Sequence, residues 1–132
     1  MKYLLDTNIC IHALKGNAIV VGRLLAHQRS DVAVSVITEA ELRAGAAKSD
    51  SPHKTLRAVE NFLRPISILP FVSDDTVAYG TVRAKLERAG TPIGPLDTLI
   101  AGHAVGRKLV LVTNNEREFA RVAGLRIENW MT

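Results

Sequence analysis

A short apolar run, Tyr3-Leu4-Leu5, opens the chain, and longer amphipathic stretches alternate with similar runs to its end. Residues 3–5 read as a buried strand, and Thr7–Lys15 as a helix stopped by Gly16. Ile19–Arg29 is amphipathic, with Val21, Leu24, Leu25 and Gln28 at helical spacing. Val32–Val36 is β-branched and alternates, which predicts a strand. Helix is expected over Thr38–Lys48. The polar turn Ser49-Asp50-Ser51-Pro52 then ends on a proline that starts the next helix, 53–64, striped by Leu56, Val59, Phe62 and Leu63. Ile66–Phe71 is strand-like, and Pro70 suits an edge. Helix 75–89 carries Tyr79, Val82, Leu86 and Ala89 on one face and ends at Gly90.

The constrained loop Thr91-Pro92-Ile93-Gly94-Pro95 leads into a helix over 97–107. Its Ala101, Gly102, Ala104 and Gly106 permit close approach to a neighbouring element. Leu109–Val112 is continuously apolar, as in a strand covered on both faces. A short helix near Glu116–Arg121 and a last strand near Leu125–Glu128 complete the pattern. Strands alternating with helices imply right-handed crossovers, so the expected fold class is α/β with a mainly parallel central sheet flanked by helices. No repeat, linker or low-complexity segment interrupts it, and 132 residues fit one domain, 1–132.

Composition changes this picture little. Seventeen basic against thirteen acidic residues give a net charge of +4, a mild excess that a solvated surface explains as well as a polyanionic partner does. Cys10 is the single cysteine, so no internal disulfide can form, and its neighbours Ile9, Ile11 and Leu14 suggest a buried, inert thiol. An acid at position 6 comes too early for a signal peptide. No apolar stretch approaches the ~20 residues of a spanning helix. A cytoplasmic protein without membrane partners is expected.

Chemistry enters with four polar positions at equivalent points of the pattern. Asp6 ends the first strand, Glu41 follows the second, Asp97 opens a helix, and Asn115 follows Leu109–Val112. Carboxyl ends of strands are where open α/β sheets collect their ligands. Each residue also has a plainer explanation. Asp6 and Asp97 could cap their helices. Thr38-Glu39-Ala40-Glu41 has the form of a capping box, and Asn115-Glu116-Arg117-Glu118 is box-like. Taken together, three carboxylates converging on one edge would repel one another unless a cation intervened. Magnesium takes oxygen ligands and often uses only one or two carboxylates directly, which suits phosphodiester hydrolysis.

These segments resemble the PIN-domain ribonucleases, in particular the VapC toxins of VapBC toxin–antitoxin modules. The matching residues are Leu4-Leu5-Asp6-Thr7-Asn8, Ser35-Val36-Ile37-Thr38-Glu39-Ala40-Glu41-Leu42, Gly90 through Asp97, Ile100-Ala101-Gly102-His103-Ala104, and Val112-Thr113-Asn114-Asn115 through Glu118-Phe119. They run in order from Lys2 to Trp130. The resemblance implies a PIN-like fold and an acidic core of Asp6, Glu41 and Asp97. Asp6 and Asp97 are then the direct ligands of Mg2+, with Mn2+ as a substitute, and Glu41 acts through water. Thr7, Asn8 and Thr113 become supports for carboxylates and waters. Many PIN domains carry a fourth acid where this chain has Asn115, a neutral amide that Glu118 could replace.

The same resemblance implies a toxin endoribonuclease that cuts transfer RNA. The Gly-Pro-x-Asp loop is similar to that of members directed at initiator tRNA. It further implies a homodimer and a hetero-oligomer with a VapB-type antitoxin that enters the acidic groove. Arg83, Lys85 and Arg88 precede the loop into Asp97 and are the candidate RNA contacts. The few aromatics argue against a base-stacking platform. His12, His27, His53 and His103 lack metal-type spacing, and His103 reads as a packing or hydrogen-bonding residue. A phosphatase of the haloacid dehalogenase type would want an acid at Asn8, and a receiver domain would want paired acids at the first strand's end. A catalytically inactive PIN-like module that binds RNA or a partner is the remaining alternative, with Asn115 as its supporting feature.

Overall fold

Five short strands form one sheet, β1 (Tyr3–Leu5), β2 (Val32–Ser35), β3 (Ser67–Leu69), β4 (Val110–Val112) and β5 (Ile127–Glu128), in a computed structural model that describes all 132 residues. Their order is β3-β2-β1-β4-β5, and every pairing is parallel. From β1 the chain builds outward through β2 to β3 on one side and through β4 to β5 on the other. The order therefore reverses at β1, and a crevice opens beyond its carboxyl end. Leu5 pairs with both Val34 and Val112, so the residues that follow these three strands meet at that crevice.

Seven helices cover the sheet: α1 (Thr7–Leu14), α2 (Ala18–Leu25), α3 (Val36–Lys48), α4 (Pro52–Leu63), α5 (Asp75–Arg88), α6 (Pro95–Arg107) and the single turn α7 (Glu116–Phe119). Alternation along the strands splits the core in two. Tyr3, Leu5, Val32, Val34, Val110 and Val112 pack against Ile9, Leu42, Val59 and Trp130 of the α1–α4 side. Leu4, Ala33 and Leu111 pack against Val82, Leu86, Ile100 and Phe119 of the α5–α7 side. Each large apolar side chain buried there contributes roughly 1.5–3 kcal/mol. Cys10 is buried and free, with its thiol pushed well above the ordinary range by that burial.

The small residues of α6 serve the close approach expected of them. A methyl group on Gly102 would sit 2.7 Å from the Tyr79 Cα, and one on Gly106 would sit 3.1 Å from the Ala78 Cβ. Gly16 and Gly90 end α1 and α5 with φ of 79° and 70°, the left-handed region glycine enters freely.

Several boundaries differ from the expected ones. Helix α2 stops at Leu25, and residues 29–31 form a 3-10 turn. Its inner stripe is Val20 and Leu24 rather than Leu25 and Gln28, and Leu25 is 77% exposed. The next turn is replaced by a stack of the His27 ring on Trp130, 4.7 Å between centroids. Strand β5 keeps only two of its four expected residues.

The most consequential shifts lie at two helix starts. Helix α3 begins at Val36, capped by Ser35, whose hydroxyl accepts from the Ile37 N–H at 3.1 Å. Thr38 is therefore not the cap, and the capping box with Glu41 does not form. Helix α6 begins at Pro95 with Gly94 before it. Asp97 is thus its third residue and does not cap it. A serine closing an apolar strand and a proline in first helical position each outrank the signals used to place these starts.

Candidate active site

Asp6, Glu41, Asp97 and Glu118 converge at the crevice beyond β1. Asp6 is 3% exposed. It also caps α1, accepting from the Ile9 N–H at 2.8 Å. The capping reading is correct for this residue and does not compete with the other, because a carboxylate has two oxygens. Burial is the main reason its pKa rises from 3.8 to about 6, and the charges of Asp97 and Glu41 push the same way. Bonds from Thr113 and the Ile9 N–H oppose the rise. Asp97 is also raised, first by burial and then by the charges of Glu41 and Glu118. Four acids thus feel one another at one sheet edge.

Three hydroxyls organise them. Thr7 donates to Glu41 Oε1 at 2.6 Å and lies 3.2 Å from the hydroxyl of Thr38. Thr7 has one hydroxyl proton and gives it to the carboxylate, so Thr38 donates to Thr7. The buried Thr113 hydroxyl accepts the Asn115 N–H at 2.9 Å, which leaves its proton for Asp6. The Asn115 amide donates to Glu118 at 3.0 Å instead of capping α7. The charge of Glu118 acts on Asp97, beside the neutral amide of Asn115. Asn8 is exposed and joins none of these bonds.

A family model for the PIN domain matches residues 3–125. This chain belongs to the PIN-domain family. It is 42% identical over 130 residues to the tRNA(fMet)-specific endonuclease VapC of Shigella flexneri and 43% identical to that of Salmonella typhimurium, with 98% of each chain covered. Among solved structures, DNA-bound VapBC from Salmonella typhimurium matches with a TM-score of 0.94 at 44% identity, covering 98% of both chains. VapBC2 from Rickettsia felis, bound to a promoter DNA fragment, matches with 0.92 at 37%, covering 98% of this chain and 99% of that one.

PIN-domain nucleases are generally dependent on divalent metals, and the donors here suit such an ion. They are all oxygens, Asp6 and Asp97 are raised first by burial and then by neighbouring acids, and no ion pair neutralises any of Asp6, Glu41, Asp97 and Glu118. No three acids, histidines or cysteines form a ready-made cage.

The PIN domain carries a groove of about 600 Å³ between α1, α3 and α4, lined by Ile11, Leu14, Leu42, Ala46 and Val59 with Glu41 at its edge. Ile11 is 38% exposed there. The expected basic strip is not one surface. Arg83 pairs with Glu87 at 2.7 Å and with the Tyr79 hydroxyl at 3.0 Å beside the loop into α6. Lys85 lines a different cleft, next to Arg121.

Sequence reasoning missed a buried chain behind the acids. The Ser35 hydroxyl meets His103 Nδ1 at 2.9 Å, His103 Nε2 faces Asp75 at 3.7 Å, and Arg107 holds Asp75 at 2.7 Å. The Arg107 guanidinium lowers the Asp75 pKa to about 2. Ser35, His103 and Asp75 are fully or almost fully buried, so this Ser-His-Asp series has no access to substrate. Its one sequence signal is polarity at positions where the flanking pattern is apolar.

Proposed function

We propose that this chain is a metal-dependent endoribonuclease, one PIN domain over 1–132, acting as the toxin of a type II toxin–antitoxin pair. Its substrate is tRNA, with initiator tRNA foremost. The observation that carries this reading is the meeting of Asp6, Glu41, Asp97 and Glu118 in a chain 42% identical, over nearly its whole length, to a tRNA(fMet)-specific endonuclease.

Asp6 and Asp97 would hold a divalent cation, Mg2+ or Mn2+ in its place, with Glu41 as the supporting acid acting through water. When bound, the ion offsets charge growing on the phosphate and eases formation of the nucleophile. Thr7 fixes one Glu41 oxygen, leaving the other to orient and deprotonate the attacking water. Thr113 keeps the Asp6 carboxylate turned to the crevice, and Asn115 does the same for Glu118. A VapB-type antitoxin lies along the apolar groove of α1, α3 and α4 and silences the neighbouring acids, in a complex built on toxin homodimers. VapBC complexes among the solved relatives support this partner. Such a substrate and partner put its action in the cytoplasm.

Purified chain is incubated with total tRNA, with magnesium or chelator, and the RNA ends are sequenced. Cleavage at one position in initiator tRNA, lost by several orders of magnitude in Asp6→Ala and Asp97→Ala, is the expected result. Full activity in either folded variant removes the mechanism. Tight tRNA binding without cleavage by the parent would leave the RNA-binding module instead.

A further inference from the structure

Beside the acids, on the α5–α6 face, the chain has a second pocket of about 320 Å³. Its walls are Tyr79, Arg83 and Glu87 of α5 and Pro92, Ile93 and Pro95 of the loop that enters α6. Leu86 and Thr98, both buried, close its floor. The four α5 residues follow a three- and four-residue spacing and so share one side of the helix. Gly94, between two of the loop's pocket residues, is the residue whose methyl group would lie 3.7 Å from Asp97 Oδ2. The loop therefore lines the pocket and also approaches the Asp97 carboxylate.

We propose that this pocket takes an unpaired nucleobase of the RNA, next to the scissile phosphate. The inference rests on the RNA-cleavage reading above. An exposed Arg–Glu pair one helical turn apart is ordinarily a minor surface contact. Here the arginine is held from two sides, by Glu87 through Nε and by the Tyr79 hydroxyl through Nη1. Its Nη2 remains as a donor, and the second Glu87 oxygen remains as an acceptor. A nucleobase edge carries donors and acceptors side by side and matches that pairing. The proline and isoleucine wall offers apolar contact to a base face. One base in one pocket also escapes the objection that the chain has too few aromatics for a stacking platform.

The test is a cycle between protein and RNA. Hairpins taken from initiator tRNA carry a single abasic site at each unpaired position in turn. Their binding is measured in chelator, and their cleavage in magnesium. For the parent, one abasic position should weaken binding and kcat/KM about tenfold, the usual scale of one base contact. With Arg83→Ala or Glu87→Gln, both exposed changes, the intact hairpin should lose about the same factor, and the abasic site should then cost nothing more. If every abasic hairpin falls equally in parent and variants, the pocket does not hold a base. A parent that binds but cuts nothing ends the nuclease reading, while the binding cycle still decides the pocket.

Discussion

His103 Nδ1 lies 2.9 Å from the Ser35 hydroxyl, joining the helix of Asp97 to the start of the helix of Glu41. Ser35 already accepts the Ile37 N–H, so its own proton is free for Nδ1. His103 then carries its proton on Nε2, toward Asp75. Nε2 makes no well-formed hydrogen bond, and the acceptors near His103 are the Asp75 carboxylate, 3.7 Å from Nε2, and the Pro70 backbone. Burial holds the His103 pKa below its ordinary value against the pull of Asp75.

His103→Leu removes the acceptor and strands the buried Ser35 hydroxyl. A loss of about 1–3 kcal/mol in stability is expected. His103→Asn, whose side-chain oxygen can stand near Nδ1, should recover part of it. Denaturant melts of the three proteins decide the matter, and a leucine variant as stable as the parent would make the bond irrelevant. Because the folded pKa is depressed, the unfolded chain binds this proton more readily. Stability from His103 is complete above the unfolded value of ~6.5 and declines as pH falls below it. The leucine variant should lack that decline.

Thr7 gives a prediction with an internal control. It is the donor to Glu41 at 2.6 Å, and hydrogen bonds to charged groups are worth about 1.5–3 kcal/mol. Thr7→Val keeps the shape and removes the proton, so kcat for RNA cleavage should fall by roughly ten- to hundredfold. Thr7→Ser should restore most of the rate. Equal rates in all three proteins would show that Glu41 needs no such support.

Much of the fold was readable because buried parallel strands and amphipathic helices announce themselves through apolar runs and spacing. Asp6 was readable because a parallel sheet puts every strand's carboxyl end on one edge, whereas Glu41 and Asp97 lie within helices α3 and α6 and were marked by the family resemblance. Hydrogen-bond direction was not readable. Thr38 and Glu41 fit a capping box in sequence, and only the fold shows both turned to Thr7. Ser35 and His103 are 68 residues apart, a contact that no local pattern encodes. The end of α2 failed for a related reason: a tertiary stack of His27 on Trp130 replaced the next helical turn.

Two glycines should respond oppositely to alanine. At Gly102 the new methyl group would lie 2.7 Å from backbone of α5, which cannot yield without moving the helix. Overpacking of this kind costs about 1–3 kcal/mol. Gly80 sits within α5 with nothing within 4 Å of the added carbon. Gly80→Ala should gain about 0.5–1 kcal/mol from helix propensity alone. Thermal melts of both variants test the α5–α6 contact, and a stable Gly102→Ala protein would contradict its closeness.

The last prediction concerns Asp6 and the pH dependence of stability. Its pKa is about 6 in the fold against 3.8 ordinarily, with burial as the first cause. Between these values the native state holds a proton that the unfolded chain has released. Stability must therefore fall as pH rises from about 4 to 6 and stay lowered above. At 1.36 kcal/mol per unit, the shift corresponds to about 3 kcal/mol, or several degrees in Tm for a domain of this size. Asp6→Asn keeps the bond to the Ile9 N–H, since asparagine caps about as well as aspartate, and removes the titration. In chelator the variant should melt above the parent at pH 7.5, and that advantage should vanish near pH 4. The His103 contribution is common to both proteins and cancels in the difference. Magnesium should raise the parent's midpoint at pH 7.5 and lose this effect as Asp6 takes up its proton, because the ion binds the ionised form of the folded state. A difference between the two proteins that stays constant from pH 4 to 7.5, with no magnesium response, would mean that Asp6 is a helix cap and nothing more.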